Sequence, residues 1–549
     1  MLRLIAVVAC LALVRPAAGK ETAPADVQKA AEAITAAATA PAFGQKGAGH
    51  PLPLAGHWNT GAIPGGFTPN WQLEQIEAGH MLLPPWFDMP NIEPTYHQTD
   101  AYYESAIKRA AELKLPLTFV GTQWEHLLTT DPEYFGLPAE RNPNSIYASG
   151  QVNRAVCPFG PVEPWRQVGR QWTISPMIRK VQEWYPDPPR VIFLSNNEHT
   201  RLTWNRVEGS PRYLARFGKG RDDDFKRKVV GDGWIERYRA LQSAMRDGLA
   251  EAKAPAGPAW SKAATFVGYD AFGPPHLGRW GGWPEYSLHT KERIDPNPLM
   301  WDGGSPSFYV HNWNGSTDHT VWSPQIESMN WPFMLDEARR LNPAFWWEIS
   351  TWDGHQPTLA NDKRKTYAAA GQTFSPERYG GMIQFGMWLL RPRVVREYRN
   401  HTDTVEKAGA YFEPIMAAVD RVHRDATLRE FWQRGALVPN RAAKHPYQEL
   451  VPEEYRDRDR WFLLETSLTP ERPWKLDTKI EVFAVALALG EAPARRWLVY
   501  AHAPLGARDD VSITLPEFGD VTADVPVAGG FWLVREKGRE VTPLPATPR

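Results

Sequence analysis

From residue 51 to about residue 425, short apolar segments alternate with stretches whose apolar residues recur at helical spacing. The apolar segments have strand length and are rich in β-branched and aromatic residues, as buried parallel strands are. We predict strands at residues 52–59, 80–87, 115–124, 190–198, 264–272, 307–313, 344–350 and 381–389. The helical stretches are residues 101–114, 167–184, 233–252, 329–341 and 393–423. Eight strands joined by helices predict an α/β fold, a (β/α)8 TIM barrel over residues 51–438.

The pattern changes after the last of these helical stretches. Residues 455–545 lack helical spacing and contain short segments in which apolar and polar residues alternate. We predict five strands there, beginning near Trp461, Lys479, Arg496, Val511 and Gly530. Short alternating strands with turn residues between them are typical of an antiparallel β-sandwich. We expect this second domain to pack against the barrel and stabilise it rather than to bind carbohydrate.

The N-terminus has the pattern of an export signal. Residues 1–3 carry a positive charge, residues 4–14 are apolar, and small residues follow at 17–19. Eleven apolar residues are too few to span a bilayer, so we expect cleavage after residue 19 and a secreted or periplasmic protein. A lipid attachment site at Cys10 is the alternative. Residues 20–50 are then an N-terminal extension with an alanine-rich amphipathic stretch, and Cys157 is left without a disulfide partner.

Composition narrows the class of ligand. The formal net charge of −1 gives no reason to expect nucleic acid or a membrane surface as a partner. No metal-ligand spacing and no phosphate-binding loop occurs, so we expect neither a metal nor another cofactor. The 25 tryptophans among 549 residues are many, and several lie in predicted loops. Flat aromatic side chains in loops suit the apolar faces of sugar rings, although each one alone is more often a packing residue. The oligomeric state stays open.

Two glutamates lie at positions where barrel enzymes place catalytic groups. Glu198 ends the predicted fourth strand, after Asn197, and Glu348 lies near the end of the predicted seventh strand among Trp and Ile residues. A carboxylate in an apolar setting is costly unless it is paired or functional. Carboxylates about 5–5.5 Å apart serve double displacement, in which one attacks the anomeric carbon and the other transfers the proton. We predict Glu198 as the acid/base and Glu348 as the nucleophile.

This pair, so placed, resembles clan A of the glycoside hydrolases, a superfamily of retaining β-glycosidases with (β/α)8 barrels. The resemblance is motif-specific only at Asn197-Glu198, with Glu348 supported by its position. It implies that Asn197 holds the sugar 2-hydroxyl and that Tyr309 or His311 supports the nucleophile. It further implies a tryptophan at the end of the eighth strand as the floor of the sugar site, for which Trp388 is the candidate.

Other residues near predicted strand ends are candidates for substrate contacts. The predicted substrate-binding residues are Asn197, His57, Trp124, Glu125, His199, Tyr309, His311, Trp313, Trp352 and Trp388. Asp88, Asp270 and Asp353 are further acids near strand ends, and Asp353 is the main rival to Glu348 as nucleophile. A structural ion-pair role for the two glutamates is the simpler alternative.

The sequence therefore predicts a retaining glycoside hydrolase that acts on a polysaccharide or oligosaccharide. A sulfated algal galactan of the agar or carrageenan type is one candidate, because basic loop residues could meet sulfate groups. Those residues are Arg141, Arg154, Arg201, Arg206, Arg279 and Lys291. The alternatives are a non-catalytic carbohydrate-binding protein on a barrel scaffold and a metal-dependent barrel hydrolase. The linkage, and endo or exo action, stay open.

Overall fold

A computed structural model describes most of the chain. The described residues are 24–58, 63–84, 87–89, 100–122, 126–196, 202–269, 297–309, 324–352, 375–399, 403–443, 457–472 and 480–545. The predicted signal peptide lies outside them. No helix within these ranges is both long and apolar enough to cross a membrane.

A parallel sheet of eight strands forms the centre of the described structure. Its strands are β1 Leu54–His57, β2 Phe87–Met89, β3 Leu117–Thr122, β4 Val191–Asn196, β5 Ala264–Tyr269, β6 Gly303–Ser305, β7 Trp346–Thr351 and β8 Val394–Glu397. Their order is β1-β8-β7-β6-β5-β4-β3-β2, and all the pairings are parallel. Ala55 in β1 also forms a parallel bridge with Leu82. The α/β class is confirmed, and the sheet is consistent with at least part of a TIM barrel.

The residues of each strand alternate between two differently packed faces of the sheet. On the outer face, the Phe119, Phe193 and Phe266 rings stack at centroid distances of 5.3 Å. Phe119 also packs against Trp260 on a helix, with ring centroids 5.8 Å apart. The other residues of each strand point to the inner face. One of them is Glu348 on β7, whose carboxylate accepts a hydrogen bond from Arg396 on β8. This alternation decides which side chains lie inside the sheet.

Helices follow most of the strands. The helices of the described residues are α1 Pro24–Thr39, α2 Pro69–Glu77, α3 Asp100–Glu112, α4 His126–Thr130, α5 Pro132–Phe135, α6 Glu163–Thr173, α7 Pro176–Trp184, α8 Pro211–Phe217, α9 Asp223–Ala250, α10 Ala256–Ala263, α11 Asn297–Met300, α12 Pro324–Glu327, α13 Trp331–Leu341, α14 Pro376–Leu390, α15 Val405–Arg424 and α16 Ala426–Arg434. Several begin at a side-chain cap followed by proline, as at Ser175 before Pro176. That cap divides the predicted helix 167–184 into α6 and α7.

The predicted eighth strand, residues 381–389, is wrong, because these residues belong to helix α14. Ser375 caps α14 by accepting a hydrogen bond from the backbone N–H of Arg378, and Pro376 occupies its first turn. Most of α14 is buried, so its apolar residues form a continuous segment instead of a stripe. The true eighth strand, β8, lies within residues 393–423, which were predicted as one helix. The observed helix in this region, α15, begins only at Val405.

The C-terminal region contains two antiparallel sheets that fit the predicted sandwich. Its strands are β9 Ala436–Leu437, β10 Phe483–Leu489, β11 Arg496–His502, β12 Arg508–Leu515, β13 Gly519–Val525, β14 Gly530–Arg535 and β15 Glu540–Leu544. Five of them form a sheet in the order β9-β10-β11-β14-β15, and β12 pairs with β13. The segment after Trp461 forms no strand; its Thr466 makes one bridge to Ile513.

Alternate residues of β10 belong to two different cores. Ala484 and Ala486 pack inside the sandwich. Phe483 and Val485 instead join the large core that contains the parallel sheet and its helices. The Phe483 ring contacts Phe385 of α14, with centroids 5.6 Å apart. The middle strands β10, β11 and β14 are therefore buried on both faces, so their apolar residues form continuous segments rather than the predicted alternation.

Helix α1 packs at the amino ends of the parallel strands. Arg393, just before β8, donates hydrogen bonds to the carbonyl oxygens of Ala37 and Ala40 at 3.1 and 2.7 Å. These carbonyls end the helix and carry its partial negative charge, which a guanidinium stabilises. The alanine-rich extension predicted from the sequence is thus a helix attached to the sheet through Arg393.

Gly303→Ala tests the close approach of β6 and β7. A Cβ at Gly303 would lie 2.6 Å from the Cβ of Trp346 and would also meet the Trp346 carbonyl oxygen. We expect the substitution to lower the free energy of unfolding by about 2–3 kcal/mol, measured by urea denaturation. Exposed Gly209, where a Cβ would meet nothing within 4 Å, is the control, and Gly209→Ala should change stability by less than about 0.5 kcal/mol. Equal effects of the two substitutions would contradict the tight packing.

Candidate active site

The carboxyl ends of the parallel strands lie together, where enzymes of this architecture place their active sites. Part of the predicted site lies outside the described residues. These residues are Trp124, Glu125, Asn197, Glu198, His199, His311 and Trp313, together with the rival acids Asp270 and Asp353. The described part of the site is formed by side chains from β1 and β5 to β8.

Five aromatic side chains gather at this end of the sheet, and we call them the mouth ring. The mouth ring consists of Trp58, Tyr269, Tyr309, Trp352 and Tyr398. Each lies at or just after the end of a different strand, and neighbouring ring centroids are 5.1 to 6.4 Å apart. Tyr309 and Tyr398 are partly exposed, whereas the other three are buried. The structure thus brings the predicted residues Tyr309 and Trp352 together.

Hydroxyl groups connect the mouth ring to the strands beneath it. Ser307 donates a hydrogen bond to the Tyr269 hydroxyl at 2.8 Å, and Tyr269 donates to the Tyr309 hydroxyl at 2.6 Å. The indole N–H of Trp58 donates to the Ser350 hydroxyl at 2.7 Å. Ser305 lies 3.0 Å from the same hydroxyl. These bonds fix the orientation of three of the five rings.

Glu348 forms a buried ion pair beneath the mouth ring. The Arg396 Nε and Nη2 atoms donate to its two carboxylate oxygens at 2.5 and 3.0 Å. The indole N–H of Trp346 donates to Oε1 at 2.7 Å. Neither Glu348 nor Arg396 has any exposed side-chain surface. A bidentate pair with a third donor satisfies the geometric conditions under which a buried ion pair is tolerated.

The position of Glu348 along β7 sets its depth. The inward positions of this strand are Trp346, Glu348 and Ser350, and Trp352 continues the series into the mouth ring. With a rise of about 3.3 Å per residue, Glu348 lies about 7 Å below Ser350 and about 13 Å below Trp352 along the strand. The carboxylate is therefore in the interior of the sheet and not in the ring itself.

Two predicted substrate contacts lie away from the mouth ring. His57 is fully buried on the outer face of β1, where its ring stacks on Phe67 at 4.2 Å and meets Phe412 of α15 edge-on at 5.5 Å. Trp388 is on α14 rather than a strand, and its ring packs against Trp432 and Phe531 at 5.3 and 5.2 Å. Trp388 therefore joins the parallel-sheet region to the sandwich, and its proposed place at the end of the eighth strand is wrong.

Arg396, Tyr398, Trp58 and Tyr269 were not among the residues predicted for the site. Arg396 and Tyr398 were hidden because residues 393–423 were predicted as one helix. Tyr269 and Trp58 were inside predicted strands, and a rule that examines the last inward residue of each strand would have found both.

Comparison with known proteins gives structural likenesses of low similarity. No protein-family model matches the chain, and no curated protein matches it. A GH36 alpha-galactosidase from Geobacillus stearothermophilus in complex with 1-deoxygalactonojirimycin aligns at 13% identity, covering 95% of this chain and 57% of its own, with a TM-score of 0.37. The agarase AgWH50C aligns at 13% identity over 74% of this chain and 70% of its own, with a TM-score of 0.32. A conserved exported protein from Bacteroides fragilis aligns at 10% identity over 88% and 98%, with a TM-score of 0.35.

Arg396→Met tests the buried ion pair. The substitution leaves the Glu348 charge buried and unpaired, so we expect the free energy of unfolding to fall by about 3–5 kcal/mol in urea denaturation. Arg170→Met removes an exposed guanidinium that pairs with Glu251 at 2.9 Å and should cost less than about 1 kcal/mol.

The double variant Glu348→Leu/Arg396→Met separates the charge from the packing. Because it removes both ions at once, it should recover most of the stability that Arg396→Met loses. A double variant as unstable as the single one would show that the pair is not the source of the loss.

Proposed function

We propose that the chain is a glycoside hydrolase that cleaves β-glycosidic bonds of a polysaccharide or oligosaccharide. The observation that carries this proposal is the mouth ring at the carboxyl ends of the parallel strands. Aromatic surfaces with a few fixed hydroxyl groups are what a binding site for a neutral polyhydroxylated ligand requires. The Ser307–Tyr269–Tyr309 chain includes the partly exposed phenol of Tyr309, a group that can donate a hydrogen bond to a sugar hydroxyl or accept one from it.

The proposed mechanism is double displacement with retention of configuration. Glu198 protonates the leaving oxygen and later deprotonates water, while Glu348 attacks the anomeric carbon and forms the covalent intermediate. Arg396 supports this assignment because its guanidinium holds the Glu348 carboxylate in one orientation. Among the described residues, Oε2 accepts one hydrogen bond and Oε1 accepts two. A carboxylate oxygen offers about two lone pairs, so Oε2 keeps one for attack.

The burial of Glu348 sets a condition on this mechanism. A sugar reaches the carboxylate only if the Ser350 hydroxyl and the Trp58 indole that is bonded to it move aside, because Ser350 is the next inward residue between Glu348 and the mouth ring. If they stay in place, the nucleophile has to come from a residue nearer the ring, and Asp353, one residue beyond Trp352, is the candidate. Nucleophile trapping therefore tests the mechanism more directly than mutation of Glu348.

The same proposal includes a closed barrel, a cleaved signal peptide at residues 1–19 and export from the cytoplasm. Closure is supported by the bridge between Ala55 and Leu82, because it links β1 to the segment that leads into β2. Two backbone hydrogen bonds accompany it, from Ala55 to the Met81 carbonyl at 2.9 Å and from Leu83 to the Ala55 carbonyl at 2.7 Å.

The burial and bonding of Glu348 are also compatible with a carbohydrate-binding protein that catalyses no reaction. A carboxylate with both oxygens bonded and no exposure is what a purely structural ion pair would show. The second candidate function is therefore a carbohydrate-binding protein that uses the mouth ring. Binding to a glycan without release of smaller products, measured by calorimetry and mass spectrometry on one sample, would favour this candidate.

The identity of the nucleophile is a direct test of the proposed function. A substrate is first found by mass spectrometry of products from a polysaccharide panel that includes sulfated and unsulfated galactans. The enzyme is then incubated with the matching 2-deoxy-2-fluoro glycoside, which traps the covalent intermediate, and digested for peptide mapping. We expect the label on Glu348 and retention of anomeric configuration by NMR. A label on Asp353 would replace Glu348 as nucleophile, and an inverted product would refute double displacement.

Glu198→Gln tests the acid/base. We expect kcat on a natural glycan to fall by at least about 10²-fold, because the leaving oxygen loses its proton donor. On an aryl glycoside whose leaving group needs no proton, the variant should lose much less of the rate of the first step, in which the covalent intermediate forms. Glu348→Gln is a weaker test, because it leaves the Arg396 charge buried without its counter-charge and so destabilises the fold. Unchanged turnover of the natural glycan by Glu198→Gln would exclude Glu198.

A further inference from the structure

A cavity of about 990 Å³ lies at the opposite end of the parallel sheet from the mouth ring. Its walls come from α1, the segment after it, α13, the end of α14 and the start of the sandwich. Most of the lining is apolar, including alanines of α1 such as Ala36 and the rings of Phe333 and Phe462. We call it the base cavity. Its size is at the upper end of the range for small-molecule sites.

His50 is a buried polar group on the wall of the base cavity. It is 5% exposed, and neither of its ring nitrogens has a hydrogen-bond partner in the described part of the chain. The backbone around it is held tightly, since its own N–H donates to the Gln433 carbonyl at 2.9 Å. Its ring stacks on Phe43 at 3.7 Å. A fixed imidazole with two unsatisfied nitrogens in a cavity wall is available to a ligand.

Two largely buried guanidinium groups, those of Arg339 and Arg391, lie on the same wall, and the exposed Arg434 also lines the cavity. Arg339 lies 5.1 Å over the Phe43 ring, and its Nε has no hydrogen-bond partner among the described residues. Arg391 follows α14 with φ of 42°, a left-handed conformation that favours glycine, and donates to the carbonyls of Trp432 and Gly435. Burial lowers the pKa of Arg391 to about 9, with repulsion from Arg339 adding to it. Burial also lowers the pKa of Arg339 to about 10.

The acids on the wall do not neutralise these charges. Asp336 is 61% exposed, and its carboxylate is 4.0 Å from Arg339, a loose contact at the cavity rim. Asp459 pairs with Arg441 instead, through two hydrogen bonds of 2.8 and 2.9 Å. Within the described residues, Arg391 makes hydrogen bonds to carbonyl oxygens and no ion pair with a carboxylate. Within the described residues, Arg391 therefore has no carboxylate partner and Arg339 has only the loose contact with Asp336. The positive charge on the wall is incompletely compensated, which is costly in a desolvated place.

We propose that the base cavity binds a small organic carboxylate with an apolar body, at a site separate from the mouth ring. The carboxylate meets Arg339 and His50, since its two oxygens match the guanidinium fork and the free imidazole nitrogen. The apolar body lies against the alanines of α1 and the Phe333 ring. A carboxylate adds negative charge where the wall is positive, and the apolar body matches the mostly apolar lining.

Calorimetry of the full chain with three related probes tests the proposal. The probes are 4-phenylbutyrate, its uncharged amide, and acetate, which carries the charge without the body. We expect 4-phenylbutyrate to bind with a Kd on the order of 1 mM or tighter. The amide and acetate should each bind at least about tenfold more weakly. No heat from 4-phenylbutyrate at about 10 mM, or equal binding of the amide, would overturn the proposal.

Two variants locate the binding. Arg339→Gln should weaken 4-phenylbutyrate binding by about tenfold, because it removes the charge that meets the carboxylate. Ala36→Trp places a large ring in the cavity from an exposed position of α1 and should abolish binding without disturbing the core. Arg170→Gln, at the exposed pair with Glu251, is the matched control and should leave binding unchanged. Binding that survives both cavity variants, with circular dichroism showing them folded, would place the ligand elsewhere and refute the site.

Discussion

The ion pair between Glu348 and Arg396 constrains everything around it, because both charges are inside the sheet with no access to water. Removing each ion from water costs several kcal/mol, and only short, well-directed hydrogen bonds offset that cost. The pair spans β7 and β8, so these strands keep their register, and Trp346 occupies the remaining side of the carboxylate. An inner face built in this way is rigid, which is what a binding surface at the strand ends needs beneath it.

The outer face of β8 also carries a buried charge, and a second ion pair compensates it. Glu397, directly after Arg396, points away from the inner face, and its carboxylate accepts a hydrogen bond from Arg399. Arg399 lies over the Tyr411 ring of α15 at 5.2 Å, so this pair also fixes a helix against the sheet. Successive residues of one strand therefore carry buried charges on opposite faces, each with its own partner. Helix packing and site support are thus coupled through Arg396 and Glu397 of β8 and Arg399 just after it.

This arrangement explains which parts of the fold were predictable. The strands around Phe119, Phe193 and Phe266 are apolar on both faces, so their sequence has the ordinary pattern of buried parallel strands. Strand β8 was missed because consecutive charged residues look like a solvated helix unless their partners are known. Helix α14 was mistaken for a strand because burial on several sides removes its polar stripe, although its Ser375-Pro376 start signal was in the sequence. Glu348 was predicted as a site residue from its strand position and apolar neighbours, but its buried pairing depends on Arg396, a long-range contact that no local pattern shows.

The two ends of the sheet differ in charge. Neutral side chains lie at the carboxyl ends of the strands, whereas buried arginines lie at the amino ends. At the mouth, aromatic rings and hydroxyls are neutral and can share hydrogen bonds with either water or a ligand. At the base, Arg190 and Arg393 lie on the Trp346 ring at 5.3 and 4.8 Å, and burial, with repulsion from Arg190 and Arg339, lowers the pKa of Arg393 to about 9. The carbonyls at the end of α1 bind the Arg393 guanidinium in place of an acid. Because a helix end offers only partial charges, these carbonyls stabilise the Arg393 guanidinium without neutralising it. The amino end of the sheet therefore depends on α1 for the carbonyl groups that stabilise Arg393.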